Sequence, residues 1–173
     1  MEVPVTRYPR ALVVLHWLVA LLIVAAWFTG EGGRSVRVNP PVLHFAFGLS
    51  VLALVVPRLA IRLVRGAPAL PETMSPLMKA AAKLGHGVFY LFMIGLPLSG
   101  WYAASRMGVP VSILGYTLPN LTSAVQGPAG LIGDLHEKGG TIILILAGLH
   151  VLIALWHHFV LRDGLLKRMS FSA

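Results

Sequence analysis

Residues 135–158 read LHEKGGTIILILAGLHVLIALWHH, an apolar run that carries four histidines. A helix crosses the hydrocarbon core of a bilayer with roughly 20 mostly apolar residues, so this stretch is long enough to span a membrane. A polar side chain inside lipid is costly and usually functional. The stretch therefore predicts a membrane helix whose imidazoles have a role in the interior of the protein.

The composition of the whole chain extends this prediction. Of its 173 residues, 57% are hydrophobic and only 12% charged, and the mean hydropathy is +0.80, outside the range of soluble domains. Four segments could span a bilayer, at about residues 11–29, 41–63, 84–104 and 138–161. We predict an all-α fold, an integral membrane four-helix bundle that forms a single domain over residues 1–173.

The first segment could be mistaken for a secretory signal because Arg7 and Arg10 precede it. It is longer than such signals and has no small-residue cleavage site before Glu31, so we interpret it as a helix of the mature protein. The two short connections, residues 30–41 and 66–76, are rich in glycine or proline. The longest connection, residues 105–133, is apolar, and we expect it to lie on the membrane or cap the bundle.

The basic residues are distributed unequally between the two sides of these four segments. One side has ten, namely Arg7, Arg10, Arg58, Arg62, Arg65, Lys79, Lys83, Arg162, Lys167 and Arg168. The other side has four, namely Arg34, Arg37, Arg106 and Lys138. The excess of positive charge in cytoplasmic loops predicts that both termini are cytoplasmic. It also explains the net charge of +8 without a nucleic-acid partner, and we predict none.

The depth of four histidines in the predicted helices groups them into two pairs. His16 lies near the cytoplasmic end of the first helix and His44 near the outer end of the second. His136 and His150 are 14 residues apart in the fourth helix, which separates them by roughly 21 Å along one face. We therefore predict that His44 faces His136 at the outer end, where His136 lies at the entrance of its helix, and that His16 faces His150 at the cytoplasmic end.

Two facing imidazoles of a helix bundle can hold one haem iron and leave no open coordination position, an arrangement that suits electron transfer. The chain has no cysteine, which excludes thiolate metal sites, disulfides and covalently attached haem. Gly48 and Gly140 are one turn from His44 and His136 and would leave room for a macrocycle. The pattern favours two haems stacked across the membrane.

The histidines are also compatible with roles that involve no haem. A single histidine near a helix end is commonly an interfacial, hydrogen-bonded side chain. Zinc prefers a tetrahedral cluster of ligands, which a 14-residue separation along one helix does not provide. A proton relay usually includes carboxylates, and the interiors of the predicted helices contain none.

Five stretches together resemble the bacterial cytochrome b561 family. They are HWLVALLIVAAW at residues 16–27, GHGVFYLFMIGLPLSG at 85–100, LHEKGG at 135–140, GLH at 148–150 and ALWHH at 154–158. Their order and spacing cover essentially the whole chain. The family consists of small di-haem relatives of the cytochrome b subunits of formate dehydrogenases and nickel–iron hydrogenases.

The resemblance implies a membrane oxidoreductase with two b-type haems in the bacterial inner membrane. The ligands it assigns are His16 and His150 for the cytoplasmic haem and His44 and His136 for the outer haem. Counting depth from Arg162 instead brings His157 closer to the level of His16. His157 lies on the same helix face as His150, two turns away, so it stays a second candidate ligand of the cytoplasmic haem.

The resemblance also suggests the substrates. Some members of this family oxidise superoxide at the periplasmic face and pass the electrons to ubiquinone near the cytoplasmic haem. His157 and His158 match the quinone-site histidines, and an imidazole there could supply a proton or hydrogen bond to a quinone oxygen. Arg162 and Arg10 would be their polar neighbours, although capping of a helix end would also explain both histidines. His86 could approach the quinone or make an interfacial hydrogen bond.

Three classes of function follow from the residues and the resemblance. The first is an enzyme that transfers electrons from superoxide to ubiquinone, with the outer basic residues attracting the anion. The second is an electron-relay subunit between quinone and a periplasmic dehydrogenase or cytochrome partner. The third is a channel or proton carrier that uses the histidines without haem.

Overall fold

The computed structural model describes residues 7–30, 36–113 and 115–171. Its main elements are four helices: α1, Arg10–Thr29; α2, Val42–Arg65; α3, Pro76–Arg106; and α4, Leu131–Trp156. A short antiparallel hairpin joins α3 to α4, with β1 at Ser112–Ile113 and β2 at Tyr116–Thr117. A single π-helical turn, His157–Leu161, continues α4, and a 3-10 turn, Leu166–Met169, follows. All four long helices are apolar enough to cross a membrane, as predicted.

Local sequence explains where the helices begin. Proline, which lacks a backbone N–H and fixes φ near the helical value, precedes α1 and α2 as Pro9 and Pro41. Ser75 caps α3 because its Oγ accepts a hydrogen bond from the Met78 amide at 3.2 Å. Gly130, at φ 73°, precedes α4 in a conformation that other residues rarely adopt.

Two helices begin earlier than hydropathy predicted. The helix α3 starts at Pro76 instead of residue 84, and α4 starts at Leu131 instead of residue 138. Hydropathy marks only the part of a helix that can lie in lipid, whereas the Ser75 cap and the turn at Gly130 set the true starts. His136 therefore lies more than one turn inside α4 and not at its entrance.

The helices pack in chain order, α1 on α2, α2 on α3 and α3 on α4. Val19 of α1, Val51 and Val55 of α2 and Met93 of α3 form the buried apolar core. In contrast, the backbone of α4 makes few close approaches to α1 and α2, and two ring contacts join it to them, His150 with His16 and His136 with His44. The helix that carries most of the histidines is thus held apart from half of the bundle.

We name the two ends of the bundle by the segments found there. The hairpin end contains residues 36–41 and 107–130, and the terminal end contains residues 7–9, 66–75 and 162–171. At the hairpin end, Val109 and Val111 are buried beside Ala104, with Phe45 and Leu49 of α2 packed against them. Of the two arrangements expected for the longest connection, the structure has the one that caps the bundle.

Candidate functional site

His44 and His136 face each other at the hairpin end. Their ring centroids are 5.7 Å apart and their planes are nearly perpendicular, at 89°. His44 comes from α2 and His136 from α4, and both side chains are partly buried. The pair expected at this end is therefore close in space.

Backbone carbonyls orient both rings. The His44 Nδ1–H donates to the Ala26 carbonyl oxygen of α1 at 2.7 Å, and the His136 Nδ1–H donates to the Leu96 carbonyl oxygen of α3 at 2.9 Å. A carbonyl can only accept, so the hydrogen lies on Nδ1 and the neutral ring keeps the Nε2 lone pair free. Metal-binding histidines are usually oriented in this way by a hydrogen bond from their other nitrogen.

A cavity of about 680 Å³ adjoins these rings, well within the size range of cofactor sites. Gly48 and Gly140 line it, and a Cβ added at either position would meet no atom within 4 Å. Gly100 is different, because a Cβ there would lie 2.6 Å from His136 Cε1. The open glycines leave space for a planar group, whereas Gly100 leaves space for the imidazole itself.

At the terminal end, the His150 ring is close to two other imidazoles. Its centroid is 6.3 Å from that of His16 on α1 and 6.0 Å from that of His86 on α3. Phe89, also on α3, is 5.5 Å from His150. The structure thus places the expected pair together, and it adds His86, whose Nδ1–H donates to the Ala82 carbonyl oxygen at 2.6 Å.

Arg58 of α2 is a polar neighbour of this pair that the sequence did not single out. Its Nη2 donates to His16 Nδ1 at 2.9 Å, and its guanidinium carbon lies 5.7 Å from the centroid of the Tyr90 ring. The charge distribution alone groups Arg58 with the loop residues. Its distance of 14 residues from His44, equal to that between His136 and His150, could have shown that it faces the interior at the level of the second pair.

His157 is hydrogen-bonded to an acidic partner. It is 5% exposed, and its Nδ1–H donates to Asp163 Oδ2 at 2.5 Å. The other carboxylate oxygen accepts from the Leu165 amide at 3.1 Å. Sequence analysis missed Asp163, although it lies only six residues from His157 across a turn in which Arg162 is left-handed, at φ 50°.

His158 occupies the same π-helical turn as His157. It is partly exposed, and its ring stacks edge-on against Phe159, with centroids 4.8 Å apart. Single π-helical turns are frequent at functional sites. Of the predicted polar neighbours, Arg162 instead donates from Nε to the Phe159 carbonyl oxygen at 3.4 Å.

The segment after this turn folds back over the terminal end. The Trp17 indole N–H donates to the Met169 carbonyl oxygen at 2.9 Å. Arg168 Nη1 donates to the Ala69 carbonyl oxygen of the connection between α2 and α3 at 2.6 Å. These bonds join the C-terminal segment to α1 and to the connection, so they close the end where His157 lies.

The basic residues expected at the outer surface differ in their surroundings. Arg37 donates to three carbonyl oxygens of the long connection, those of Met107, Val125 and Gly127, at 2.7–3.1 Å. It is therefore a structural link, although its side chain remains exposed. Lys138 is exposed and Arg106 partly buried, while Arg34 lies outside the described residues.

The dimensions of both pairs fit a metal held between two imidazoles. With metal–nitrogen bonds of about 2.0–2.1 Å, opposed rings have centroids roughly 6.3 Å apart, close to the 6.3 Å and 5.7 Å found here. Among the residues that the structure describes, no three His, Asp or Glu side chains are grouped to hold a metal ion. The arrangement offers two ligands per site, which suits a haem with four nitrogens of its own.

Comparisons with known proteins agree over nearly the full length of the chain. Residues 7–172 match the family model described as prokaryotic cytochrome b561. A protein named probable superoxide oxidase CybB from Yersinia pestis is 32% identical over 167 residues, which cover 94% of this chain and 95% of that protein. Cytochrome b561 homolog 2 of Escherichia coli is 27% identical over 94% of this chain and 90% of its own. Cytochrome b562 of Cereibacter sphaeroides is 31% identical over 94% of each.

Proposed function

Because the chain belongs to the prokaryotic cytochrome b561 family of membrane haem proteins that transfer electrons, we propose that it moves electrons from superoxide to ubiquinone through two b-type haems. Membership of the family confirms the resemblance inferred from the residues. The observation that carries the proposal is the presence of two facing histidine pairs at opposite ends of one apolar bundle. The name of the Yersinia pestis relative, 32% identical, supports superoxide as the electron donor.

The proposed ligands are His44 and His136 at the hairpin end and His16 and His150 at the terminal end. When bound, haem b supplies reversible one-electron chemistry at its iron. Carbonyl oxygens orient both hairpin-end imidazoles. At the terminal end, His16 accepts a hydrogen bond from Arg58, and His150 contacts the rings of His16, His86 and Phe89. His157, the second candidate ligand at the terminal end, is bound to Asp163 instead, which favours His150.

Ubiquinone reduction is assigned to the terminal end, where proton-bearing groups are concentrated. Two superoxide anions lose one electron each and become dioxygen, and one ubiquinone takes up two electrons and two protons to become ubiquinol. His158 is partly exposed and can donate a proton to a quinone oxygen. His157, oriented by Asp163, can replace the proton from the buried side.

The distribution of basic residues supports an orientation with the terminal end in the cytoplasm and the hairpin end outside. We infer that the chain lies in the bacterial inner membrane and that quinone is reduced on the cytoplasmic side, which supplies the protons. Superoxide would meet the outer surface near Arg106 and Lys138, because Arg37 is engaged in hydrogen bonds. Attraction of the anion by these charges should weaken as salt is added.

The experiment that tests the proposal is a haem assay of the purified protein combined with anaerobic addition of superoxide and then ubiquinone. We expect two b haems per chain, reduced by superoxide and reoxidised by the quinone. Two haems that superoxide does not reduce would point to the relay subunit between quinone and a periplasmic redox partner. A protein without haem would contradict both and leave the channel or proton carrier.

Single substitutions separate His16 from His86 as the partner of His150, because both rings are within reach of it. We expect His16→Ala to lose one haem and His86→Ala to keep both. The reverse result would assign the ligand to His86.

The attraction of superoxide by outer basic residues is tested with Arg106→Glu. If this variant leaves the rate of superoxide-driven haem reduction and its salt dependence unchanged, Arg106 has no part in attracting the anion.

A further inference from the structure

Arg58 is a charged side chain inside the membrane-spanning part of the bundle. It is partly buried on α2, and three contacts surround its guanidinium. They are the hydrogen bond to His16 Nδ1, a long contact of Nη1 with Met93 Sδ at 3.8 Å, and the Tyr90 ring. None of these three neighbours carries a negative charge at neutral pH.

Among residues 7–30, 36–113 and 115–171, none gives Arg58 a counter-charge. Among the residues that the structure describes, the one ion pair lies between His157 and Asp163, so no carboxylate there pairs with Arg58. A guanidinium is always protonated and presents five N–H donors in a planar fork that fits a carboxylate. Charges inside a membrane protein are usually paired or face a functional site. An anion is therefore expected beside Arg58.

Haem ligation makes this need greater. The guanidinium has no acceptor, so its bond to His16 requires a lone pair on Nδ1. When a histidine binds iron through Nε2, its Nδ1 carries the hydrogen, and two donors would then face each other. Binding through Nδ1 would use the same lone pair. Whichever nitrogen is the ligand, Arg58 must leave His16 and find another acceptor.

We propose that Arg58 binds a carboxylate of the haem held at the terminal end. Haem b has two propionate groups, and this haem would lie beside the guanidinium because His16 is a proposed ligand. The assignment rests on the proposed function, since it requires a haem between His16 and His150. Arg58 would then be a binding residue that neutralises the charge of a propionate group. Its positive charge would also favour the reduced state of the iron, because reduction adds one negative charge nearby.

The test is a potentiometric titration of the two haems in the purified full-length protein, comparing wild type, Arg58→Gln and the control Arg65→Gln. Arg65 lies two turns further along α2, where it is exposed. At a fixed ambient potential we expect the ratio of reduced to oxidised terminal-end haem to fall at least tenfold in Arg58→Gln, a shift of about 59 mV for one electron. The hairpin-end haem should keep its potential, because its proposed ligand His44 lies roughly 21 Å from Arg58 along α2. Both haems of Arg65→Gln should also keep their potentials.

The outcomes separate this inference from the function on which it rests. Wild type with fewer than two haems would contradict the proposed function itself. Two haems with unchanged potentials in Arg58→Gln would overturn only the role of Arg58, as would an unchanged potential with a raised KM for ubiquinone. Selective loss of the terminal-end haem would support the role, because the protein would then hold the cofactor less firmly.

A second variant keeps the inference testable if Arg58→Gln does not accumulate. Arg58→Lys keeps the charge but lacks the planar fork. We expect it to retain both haems and to shift the propionate bending band in the resonance Raman spectrum. A band identical to that of the wild type would overturn the proposal.

Discussion

The two ends of the bundle hold similar histidine pairs in different surroundings. At the hairpin end, His44 and His136 each donate to a backbone carbonyl of a neighbouring helix. At the terminal end, His16 accepts from a cationic side chain, and His150 contacts the rings of His16, His86 and Phe89. Backbone carbonyls orient the hairpin-end pair, with the Ser99 hydroxyl also 3.2 Å from His136 Nδ1. The terminal-end pair instead lies beside the Arg58 guanidinium and a third imidazole, that of His86.

This difference teaches how one fold can separate two tasks. A carbonyl-oriented imidazole has its tautomer and direction set before any ligand arrives, which suits a ligand whose only task is to hold a cofactor. An imidazole next to an arginine can change partners when a cofactor binds. Proton-coupled chemistry also needs groups such as His157, His158 and Asp163, which lie at the terminal end. We therefore expect substitutions to affect the two ends independently.

The largest effect should follow from removal of a proposed ligand at the hairpin end, His44. His44→Ala should reduce the haem content from two to one per chain, because the remaining site would offer a single imidazole. The measurement is a pyridine haemochrome assay together with the reduced-minus-oxidised spectrum. If both haems are lost together, the two ends are coupled, and the expectation that substitutions affect them independently is wrong.

The second effect should be confined to the terminal end. His158→Ala should lower the rate of ubiquinone reduction by about 10²–10⁴, the usual contribution of a general acid, while both haems and their reduction by superoxide remain. Stopped-flow spectroscopy can follow the two half-reactions separately. If ubiquinone reoxidises the haems at an unchanged rate, His158 only caps the helix end and takes no part in quinone reduction.

A smaller effect at the hairpin end should come from Gly100→Ala. Its Cβ would lie 2.6 Å from His136 Cε1, so the ring must move and its bond to the Leu96 carbonyl oxygen should weaken. We expect several-fold faster loss of the hairpin-end haem to an apomyoglobin trap. The matched control is Gly87→Ala on the same helix, where the glycine is exposed and an added Cβ meets no atom within 4 Å. Equal rates in the two variants would contradict the tight fit of His136.

The smallest effect concerns folding at the terminal end. Asp163→Ala leaves the buried His157 without its hydrogen-bond partner, which should cost about 1–3 kcal/mol of stability. The thermal unfolding midpoint in detergent should fall accordingly, while Glu72→Gln in the exposed connection between α2 and α3 should leave it unchanged. Identical midpoints would mean that the contact between His157 and Asp163 adds no stability.

Sequence reasoning reached the helices and the histidine pairs because both follow from regular geometry. Hydropathy predicts four spans, and a 14-residue repeat places two side chains on one face of a helix in any context. Helix starts outside lipid depend on the Ser75 cap and the turn at Gly130, which hydropathy does not register. The early starts of α3 and α4 follow from these local contacts.

The polar neighbours of the histidines were harder to predict, because they depend on packing between helices. The charge distribution groups Arg58 with the loop residues; its 14-residue separation from His44 indicates an inward position, but its contact with His16 depends on the packing of α2 against α1. Asp163 reaches His157 through a π-helical turn and a left-handed Arg162, neither of which has a sequence signal. The charge of Arg37 is evident from the sequence, but its three carbonyl acceptors are brought together by the folded long connection.

Each facing pair joins a ring of α4 to a ring of an earlier helix, His136 to His44 and His150 to His16. Synthesis proceeds from the N-terminus, so the first three helices can enter the membrane while neither pair is complete. The insertion of α4 brings the second ring of both pairs at once. If the two pairs hold the proposed haems, loading has to follow the insertion of α4. A chain interrupted before α4 would have the core residues Val19, Val51, Val55 and Met93 but neither complete pair.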